Sequence, residues 1–431
     1  MLETVTKLAS PQGQFDPLVH WAGRFAVRRA VKRVLLRQTN VATEWSYWRR
    51  ASRLPDGRPG SLLPGASLLG CSRAENGMGE SCRLAADALT QGHVPFGVVN
   101  MPFSLHCRHG DLRAAVHEIA YPTHRANIFH MNPPEMRFMG EMLGRRGIRG
   151  RITIGVWHWE LPVLPDDWRP FLRDVQELWA PSRFIERMLR DAGAANVVLM
   201  PHGITAPDGS PMPRSELGIR DDAYVFFFMY DVASYQERKN PEGAIHAFQR
   251  AFRPDSPATL IVKLNNVHFR PENVHILEEL AADWPNIRFL KQPLDRLQVA
   301  ALMRACDCFV SLHRSEGFGL GPAEALAIGK PVIATDWSST TDFVHTEHAC
   351  PVRCRIVPVG KNVGPYEAWQ RWGEPDLDHA AEWMRQLARH PETGRELGRK
   401  ASAFMANEFS ARRAGDRMRR RLLELGALDP E

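Results

Sequence analysis

Two glutamates separated by seven residues flank a glycine-rich loop in the C-terminal half of the chain. The segment from His313 to Thr335 reads "HRSEGFGLGPAEALAIGKPVIAT" and contains Glu316 and Glu324. Glycines allow the backbone to approach a ligand closely, and a helix N-terminus presents N–H groups, which together suit a phosphate. Carboxylates accept hydrogen bonds from hydroxyls instead. The combination predicts a ligand with a diphosphate between two polyols, such as a nucleotide sugar.

The helix that follows this loop has clear sequence signals at both ends. Pro322 suits the first helical position and Gly329 suits the residue just past the end, which predicts a helix of about seven residues. Glu324 would then lie in the first turn. On this segment alone a structural explanation is equally good, because Glu324 could simply complement the helix dipole while the glycines turn the chain.

The elements around the segment indicate how it is positioned. The chain has 431 residues, more than one core usually organises, so two domains are expected. Short apolar runs alternate with helical patterns on both sides of the linker "ITAPDGSPMPRSEL" at 204–217, starting with a strand at 67–72. This alternation predicts two doubly wound α/β domains with largely parallel sheets. Ligands in such sheets bind beyond the C-terminal ends of the strands, in a cleft between the domains.

Taken together, these features resemble retaining GT-B glycosyltransferases of family 4. The segment "EGFGLGPAEALAIGKPVIAT" is similar to their E-x7-E segment, and "ERKNPEGAIHAF" to the basic segment that meets the donor diphosphate. "VQELWAPSRF" and "MPHGI" resemble the end of their N-terminal domain. "RWGEPDLDHAAEWM" resembles a segment of bacterial mannosyl-, rhamnosyl- and polysaccharide transferases. The similarity extends over roughly residues 66–425.

The resemblance implies a division of the chain into functional parts. A basic N-terminal extension would occupy residues 1–65, followed by a Rossmann-like acceptor domain at 66–209. A Rossmann-like nucleotide-sugar domain would occupy 210–408. The last helix, at 409–431, would cross back to the N-terminal domain.

The resemblance also implies a role for each glutamate and for the loop between them. Glu316 would contact the donor sugar, and Glu324 would contact the ribose hydroxyls. The loop backbone would meet the phosphates or the sugar, at Gly317, Phe318, Gly319 and Leu320.

Two neighbouring cations would act on the leaving diphosphate. By the same resemblance Lys239, with Arg238 beside it, would neutralise the charge that accumulates as the glycosidic bond breaks, and a fixed cation stabilises that transition state. Family members often carry another arginine, in a Gly-Arg pair after the first strand of this domain, where this chain reads "FMYDVASYQ". Either Lys263 of "IVKLN" supplies that charge or the donor contacts differ.

The N-terminal domain contributes a glycine loop and a histidine. "NGMGE" places Gly77 and Gly79 where the family's glycine loop approaches the donor, although a plain turn before a helix explains them almost as well. "GVWHWEL" places His158 just past a strand end, where family members often have a histidine against the donor sugar. Glu160 follows, and both side chains would face the cleft. A core histidine with satisfied hydrogen bonds is the competing interpretation.

No metal site and no cofactor are predicted. The stretch from Asp376 to Asp378 imitates a D-x-D metal motif, but it opens a helix, where acidic capping explains it. Lys239 and a helix dipole are available to the diphosphate, so a divalent cation is not needed.

Composition and charge limit the class and the partners. The chain is 44% hydrophobic and 24% charged, lacks a long apolar run and shows no secretory signal, so a cytoplasmic protein with reduced thiols is expected. The net charge of +6 is concentrated between Phe15 and Glu44 and near the C-terminus. This predicts solvated helix faces or, alternatively, a peripheral contact with anionic lipid at the inner membrane face. A nucleic-acid partner is not expected, because RNP-like and helix-turn-helix patterns are absent from the sequence.

The resemblance therefore implies a retaining glycosyltransferase of bacterial surface polysaccharide synthesis. It would move a hexose or deoxyhexose from a nucleotide diphosphate sugar to a glycan or lipid-linked acceptor. Two alternatives stay open: a nucleotide-sugar epimerase of the same fold, and a non-catalytic homologue that binds sugar nucleotides or glycans.

Overall fold

The computed structural model describes residues 62–101, 107–206 and 209–430, which contain two six-stranded sheets and a two-stranded one. The first sheet consists of β1 (Leu63–Gly70), β2 (Phe96–Asn100), β3 (His124–His130), β4 (Ile152–Gly155), β5 (Glu177–Ala180) and β6 (Val197–Leu199). The strand order is β2-β1-β3-β4-β5-β6, and all neighbours are parallel. The order reverses between β1 and β3, the position at which such sheets bind ligands.

The second sheet follows the predicted linker. It consists of β7 (Val225–Asp231), β8 (Thr259–Asn265), β9 (Ile287–Leu290), β10 (Cys308–Ser311), β11 (Val332–Thr335) and β12 (Cys350–Val352). The order β12-β11-β10-β7-β8-β9 is parallel throughout and reverses between β7 and β10. The predicted pair of doubly wound α/β units is thereby confirmed. We call the part of the chain around each sheet the N-terminal half and the C-terminal half.

Helices follow most strands. They are α1 (Gly77–Gln91), α2 (Pro133–Ile148), α3 (Arg183–Asp191), α4 (Gln236–Lys239), α5 (Pro241–Ala251), α6 (Pro271–Leu280), α7 (Arg296–Ala305), α8 (Leu320–Ile328), α9 (Leu377–Arg389), α10 (Pro391–Glu408) and α11 (Ala411–Glu424). Their ends follow local chemistry: Ser182 Oγ accepts from the N–H of Ile185 at 3.2 Å, and Asp376 accepts from the N–H of His379 at 3.0 Å. Asp376 therefore caps α9, as predicted.

Helix α11 packs against α1 of the N-terminal half. The contact is close because both helices present glycine: a Cβ on Gly415 would lie 2.1 Å from the carbonyl oxygen of Ala88 and close to Gly92. Met418 and Leu422 are buried in the same core cluster. The chain thus returns to its N-terminal half after the second sheet is complete.

Strand β1 begins earlier than the sequence predicts. The sequence predicts a strand at 67–72, because Pro64 and Gly65 look like a turn, yet β1 runs from Leu63 to Gly70. Gly65 has a φ of 119°, and the register against β3 shifts between Leu63 and Ala66. The glycine allows a bulge through which the strand continues.

An antiparallel hairpin was not predicted. It consists of β13 (Cys354–Pro358) and β14 (Arg371–Pro375), and residues 359–370 connect its strands. We call residues 359–370 the strap. Its Val363 and Tyr366 are buried in the core cluster of the N-terminal half, together with Trp159. The strap therefore joins the two halves.

The predicted membrane contact concerns residues that the structure does not fully cover. The basic stretch between Phe15 and Glu44 lies outside the described residues. In the described part of the chain, the helices lack the combination of length and hydropathy that a bilayer-spanning segment requires.

Candidate functional site

The predicted glycine loop leaves the second sheet where its strand order reverses. Strand β10 ends at Ser311 and its neighbour β7 ends at Asp231. The loop after β10 carries Glu316, and the segment after β7 carries Arg238 and Lys239 in the short helix α4. Adjacent parallel strands end at the same edge of a sheet, so the fold brings these three side chains together.

Glu316 lies between the two predicted cations. Lys239 Nζ donates to Glu316 Oε1, and Arg238 Nη1 donates to Oε2 at 3.1 Å. The same Nη1 donates to the carbonyl of Ser315 at 2.9 Å. The backbone N–H of Glu316 donates to Ser338 Oγ at 2.9 Å. The carboxylate is therefore fixed through both oxygens and through its own backbone.

The charges around Glu316 decide its ionisation. Burial alone would raise the pKa of this carboxyl, but Lys239 and then Arg238 outweigh it and hold the pKa at about 2. Arg238 stays charged although it is only 5% exposed, because Tyr366, Glu160 and Glu316 raise its pKa against the effect of burial. The Lys239 side chain is 25% exposed. Lys239 can thus face a ligand, whereas Arg238 serves to hold Glu316.

Both halves of the molecule hold the loop backbone. The carbonyl of Gly317 accepts from Ser339 Oγ at 2.8 Å and from Ser182 Oγ, at the start of α3, at 3.4 Å. Gly319 has a φ of 95°, and a Cβ there would lie 2.6 Å from Thr340 Cγ2. Only glycine suits that position, so the loop shape depends on it.

Helix α8 differs from the prediction in its start and in the place of Glu324. It begins at Leu320 and has nine residues, with Gly319 as the N-cap. Pro322 is therefore its third residue, where the missing N–H forfeits no intrahelical bond. Gly329, with a φ of 86°, ends the helix as predicted. Glu324 lies past the first turn, so the helix dipole does not explain it.

Glu324 shares an arginine with the N-terminal half. Nη1 of Arg296 donates to Glu324 Oε1 at 2.8 Å and lies 2.8 Å from Oε1 of Glu80 in α1. Glu80 also pairs with Arg83 and Arg113. Burial raises the pKa of Glu324 and Arg296 only partly offsets it, whereas three arginines lower the pKa of Glu80 despite its burial. The second glutamate is thus part of a contact between the halves.

His158 pairs with a second histidine. Its Nε2 lies 3.1 Å from Nε2 of His202, and the two rings stack at 5.4 Å. Burial lowers the pKa of His158 to about 4 and that of His202 well below its usual value, so both rings are neutral at pH 7. The ring of Phe318 packs edge-on against His202 at 4.7 Å. The histidine that the sequence singled out is therefore coupled to the glycine loop.

Lys263 is held by the end of its own strand. Its Nζ donates to the carbonyl of Leu264 at 2.9 Å and to Asn265 Oδ1 at 2.6 Å. The residue is 0% exposed, and burial lowers its pKa to about 8. At neutral pH most of this amine carries a charge at the strand edge where the other two cations lie.

The two glycines of the N-terminal half differ in their surroundings. A Cβ on Gly79 would lie 2.1 Å from the carbonyl oxygen of Ala74, whereas a Cβ on Gly77 would meet nothing within 4 Å. Asn76 caps α1 by accepting from the N–H of Gly79 at 2.9 Å. Gly79 thus serves the turn, and Gly77 leaves space at the helix N-terminus.

The strap lies over Glu316, Lys239 and Arg238, which we call the Glu316 site. Glu160 Oε2 accepts from the hydroxyl of Tyr366 at 3.0 Å, and its Oε1 lies 3.5 Å from Arg238 Nη2. The backbone carbonyl of Glu160 accepts from Ser315 Oγ. Glu160, expected in the cleft beside His158, therefore contacts the C-terminal half directly.

Four residues of the site carry no clear sequence signal: Glu80, Arg296, Ser338 and Tyr366. They lie on four separate elements and form no spaced motif. The only signal was that Glu80 ends the loop "NGMGE".

Sequence comparisons find known relatives of part of the C-terminal half. Residues 214–349 match the family described as glycosyl transferases group 1. The D-inositol 3-phosphate glycosyltransferase of Jonesia denitrificans is 30% identical over 138 residues, which is 30% of this chain and 31% of that protein. The lipopolysaccharide core biosynthesis mannosyltransferase LpsB of Rhizobium meliloti is 54% identical over 41 residues, 10% of this chain and 12% of that protein. The chain thus matches less than a third of the length of either relative.

Solved structures share the architecture over most of the chain. HepE of Anabaena, in complex with UDP and glucose, has 15% identity and a TM-score of 0.59, covering 84% of this chain and all of that one. Sucrose-phosphate synthase of Thermosynechococcus elongatus has 16% identity and a TM-score of 0.63, covering 85% of this chain and all of that one. These likenesses confirm the predicted GT-B fold. Residues 214–349, the part of the chain that matches the glycosyl transferases group 1, include Lys239, Glu316 and Glu324.

Proposed function

We propose that this chain is a retaining glycosyltransferase of family 4. It transfers a hexose or deoxyhexose from a nucleotide diphosphate sugar to a glycan or lipid-linked acceptor. The observation that carries the proposal is Glu316, ionised and held by Lys239 and Arg238 where the strand order reverses. The complex of HepE with UDP and glucose, in the same fold, supports a nucleotide sugar as donor.

The proposed chemistry assigns separate tasks to the residues of the Glu316 site. Glu316 accepts hydrogen bonds from donor-sugar hydroxyls and thereby orients the sugar. Lys239 neutralises the β-phosphate as the glycosidic C–O bond breaks, and it stabilises the transition state more than the bound donor. The acceptor oxygen attacks from the side of the leaving group, and its proton passes to the departing phosphate oxygen. Arg238 acts through Glu316 as a positioning residue.

The remaining predicted residues surround the same donor. Glu324 accepts hydrogen bonds from the ribose hydroxyls. Arg296, which donates to Glu324 in this structure, must then either share the carboxylate with the ribose or move away from it. The loop backbone from Gly317 to Leu320 and the open space at Gly77 face the phosphates, with Lys263 as the further cation at the strand edge. His158 contacts the donor sugar as a neutral hydrogen-bonding group. In this proposal the protein's own cations serve the diphosphate, without a metal or other cofactor.

The cellular setting of the proposal is bacterial surface polysaccharide synthesis. It is supported by the similarity to LpsB, whose name refers to lipopolysaccharide core biosynthesis. The enzyme would act in the cytoplasm, in peripheral contact with anionic lipid at the inner membrane face. Vesicle co-sedimentation of the full chain against a version lacking residues 1–60 tests that contact. Equal binding of the two proteins contradicts it.

One assay tests the proposed reaction against its alternatives. UDP-, GDP- and dTDP-sugars are incubated with candidate glycan acceptors, and the nucleoside diphosphate released and the anomeric configuration of the product are measured. Glu316→Gln and Lys239→Met should abolish most of the release. The exposed Glu396–Lys400 pair supplies matched controls, Glu396→Gln and Lys400→Met, which should keep it. Donor binding without release under any condition would identify a binding protein, and an epimerised donor would identify an epimerase.

A further inference from the structure

A second cluster of metal-ligating side chains lies on the segment that follows β11. His345, Glu347 and His348 each place one ligand atom within 4.8 Å of those of the other two. The same three side chains line a cavity of about 570 Å³, together with Asp336 and Phe404. The sequence predicts no metal site here, because "HTEH" shows no repeated ligand spacing. This cluster plays no part in the proposed sugar transfer.

Backbone hydrogen bonds orient both histidine rings. Nε2 of His345 lies 3.0 Å from the carbonyl oxygen of Thr341, and Nε2 of His348 lies 2.9 Å from that of Phe343. A carbonyl can only accept, so Nε2 carries the proton in each neutral ring and Nδ1 keeps its lone pair. Metal-binding histidines are oriented in this way in proteins. The two ring centroids are 5.3 Å apart, and in both rings Nδ1 is the nitrogen with the free lone pair. This shared arrangement favours a common ligand over two separate structural histidines.

We propose that His345, Glu347 and His348 bind a divalent transition metal ion, with Zn²⁺ as the best match. Two imidazole nitrogens and one carboxylate oxygen are ligands that Zn²⁺ accepts, and a water molecule can complete a tetrahedral site. Zinc–nitrogen distances of about 2.0–2.1 Å place tetrahedral ligand atoms about 3.3 Å apart. The three side chains must therefore draw together, and the exposed Glu347 can move most easily.

A metal bound at this cluster would stabilise the turn that contacts the glycine loop. The preceding turn, Ser338–Asp342, holds the glycine loop, because Ser339 Oγ donates to the carbonyl of Gly317 at 2.8 Å. Asp342 accepts from the backbone N–H of Arg183 in α3 at 2.8 Å, so the same turn also contacts the N-terminal half. A metal bound directly after this turn restricts the motion of the chain on the C-terminal side of the turn. Binding should therefore raise the thermal unfolding midpoint of the whole chain, whether or not sugar transfer occurs.

The test uses the full 431-residue chain, purified without a polyhistidine tag and stripped with a chelator. Zn²⁺ binding is measured by calorimetry, and Co²⁺ binding by absorption. One Zn²⁺ per chain is expected, with an affinity that falls at least about tenfold in Glu347→Gln and further in His345→Ala. The matched control is His275→Ala, which removes an exposed histidine paired with Glu279 at 3.1 Å. This control should bind like the wild type.

Several results would overturn the assignment. Equal Zn²⁺ affinity in the wild type and in Glu347→Gln and His345→Ala would show that these side chains are not ligands. Strong thiolate bands in the Co²⁺ spectrum would place the metal on cysteines instead. Equal loss in His275→Ala would indicate nonspecific binding to surface histidines. Glu347 is exposed, so its glutamine variant should fold and keep the test decisive even if a histidine variant is unstable.

Discussion

The two glutamates of one glycine-rich segment are held in opposite ways. Glu316 faces two cations of its own half, which lower the pKa of its carboxyl to about 2. Glu324 shares Arg296 with Glu80 of the other half, and its burial raises its pKa. The Glu316 carboxylate is therefore paired with cations of its own half, although the N-terminal half also contacts its loop, whereas the pairing of Glu324 depends on how the two halves meet.

This difference assigns catalysis to Glu316 and donor binding to Glu324. The E-x7-E spacing alone does not distinguish these two roles. A carboxylate fixed by a buried arginine keeps its geometry while charge develops on a substrate, which favours catalysis. A carboxylate that shares its hydrogen-bonded arginine across an interface changes its surroundings when the halves move. We therefore expect variants at the Glu316 end to affect the rate of the chemical step. Variants at the Glu324 end should affect donor binding and closure.

The largest effect is expected from Glu316→Gln. The amide keeps the shape but removes the charge between Lys239 and Arg238, so kcat/KM should fall by about 10²–10³. Loss of the counter-ion of a buried arginine should also lower the free energy of unfolding, by up to about 3–5 kcal/mol. Nucleoside diphosphate release and urea unfolding measure the two effects. The exposed Glu396→Gln should change neither, and full activity of Glu316→Gln would refute the assigned role.

The pH dependence of stability should distinguish the two glutamates. The pKa of Glu316 is lowered from 4.5 to about 2 on folding, so its contribution is present above pH 4.5 and lost as the pH falls towards 2. That contribution is on the order of 3 kcal/mol. Glu324 has the opposite sign: its raised pKa favours folding at low pH, and that contribution is lost as the pH rises through the folded value.

Urea unfolding between about pH 3 and pH 7 measures this contrast. The stability difference between wild type and Glu316→Gln should shrink as the pH falls. Glu324→Gln should be as stable as the wild type, or more stable, at pH 7. A difference for Glu316→Gln that stays constant over the whole range would show that its carboxylate is not held by the cations.

Arg296→Met tests the contact between the halves. It removes the cation that Glu80 and Glu324 share, so the pKa of both carboxyls should rise and the halves should separate more easily. The donor KM should increase about tenfold while kcat changes little, because binding rather than the chemical step is affected. Small-angle scattering should show a larger radius of gyration without donor. Arg399→Met, which removes an exposed ion pair, is the control. A fall in kcat with an unchanged KM would mean that the two ends do not differ in function.

The same contrast explains which parts of the site could be predicted. Glu316 and Lys239 follow strands whose buried apolar runs are visible in the sequence, and adjacent parallel strands bring their ends together. The pairing of Arg296 with Glu80 depends on the packing of two halves, which local patterns do not encode. The strap is not visible in the sequence for a similar reason, because Tyr366 is buried between Trp159 of the N-terminal half and Tyr235 of the C-terminal half.

Two element boundaries, the start of β1 and the start of α8, differ from their predicted positions, and a glycine is the cause of each difference. Gly65 and Gly319 both adopt positive φ, and both displaced an element boundary from its predicted place. In β1 the glycine allowed a strand to continue through a bulge, and before α8 it provided the N-cap that Pro322 was expected to define. Glycine signals a turn in most sequence patterns, so these boundaries could be found only from the structure.

The smallest effects concern Gly77 and Gly79, which precede Glu80 in the N-terminal half. Gly79→Ala places a methyl group 2.1 Å from the carbonyl oxygen of Ala74 and should cost about 1–3 kcal/mol of stability. Gly77→Ala meets open space, so its stability should be unchanged within about 0.5 kcal/mol. If the donor approaches residue 77, the methyl group of the Gly77→Ala variant should still raise the donor KM several-fold. Thermal unfolding and donor titration separate the two roles, and an unchanged KM in Gly77→Ala would remove this turn from the donor site.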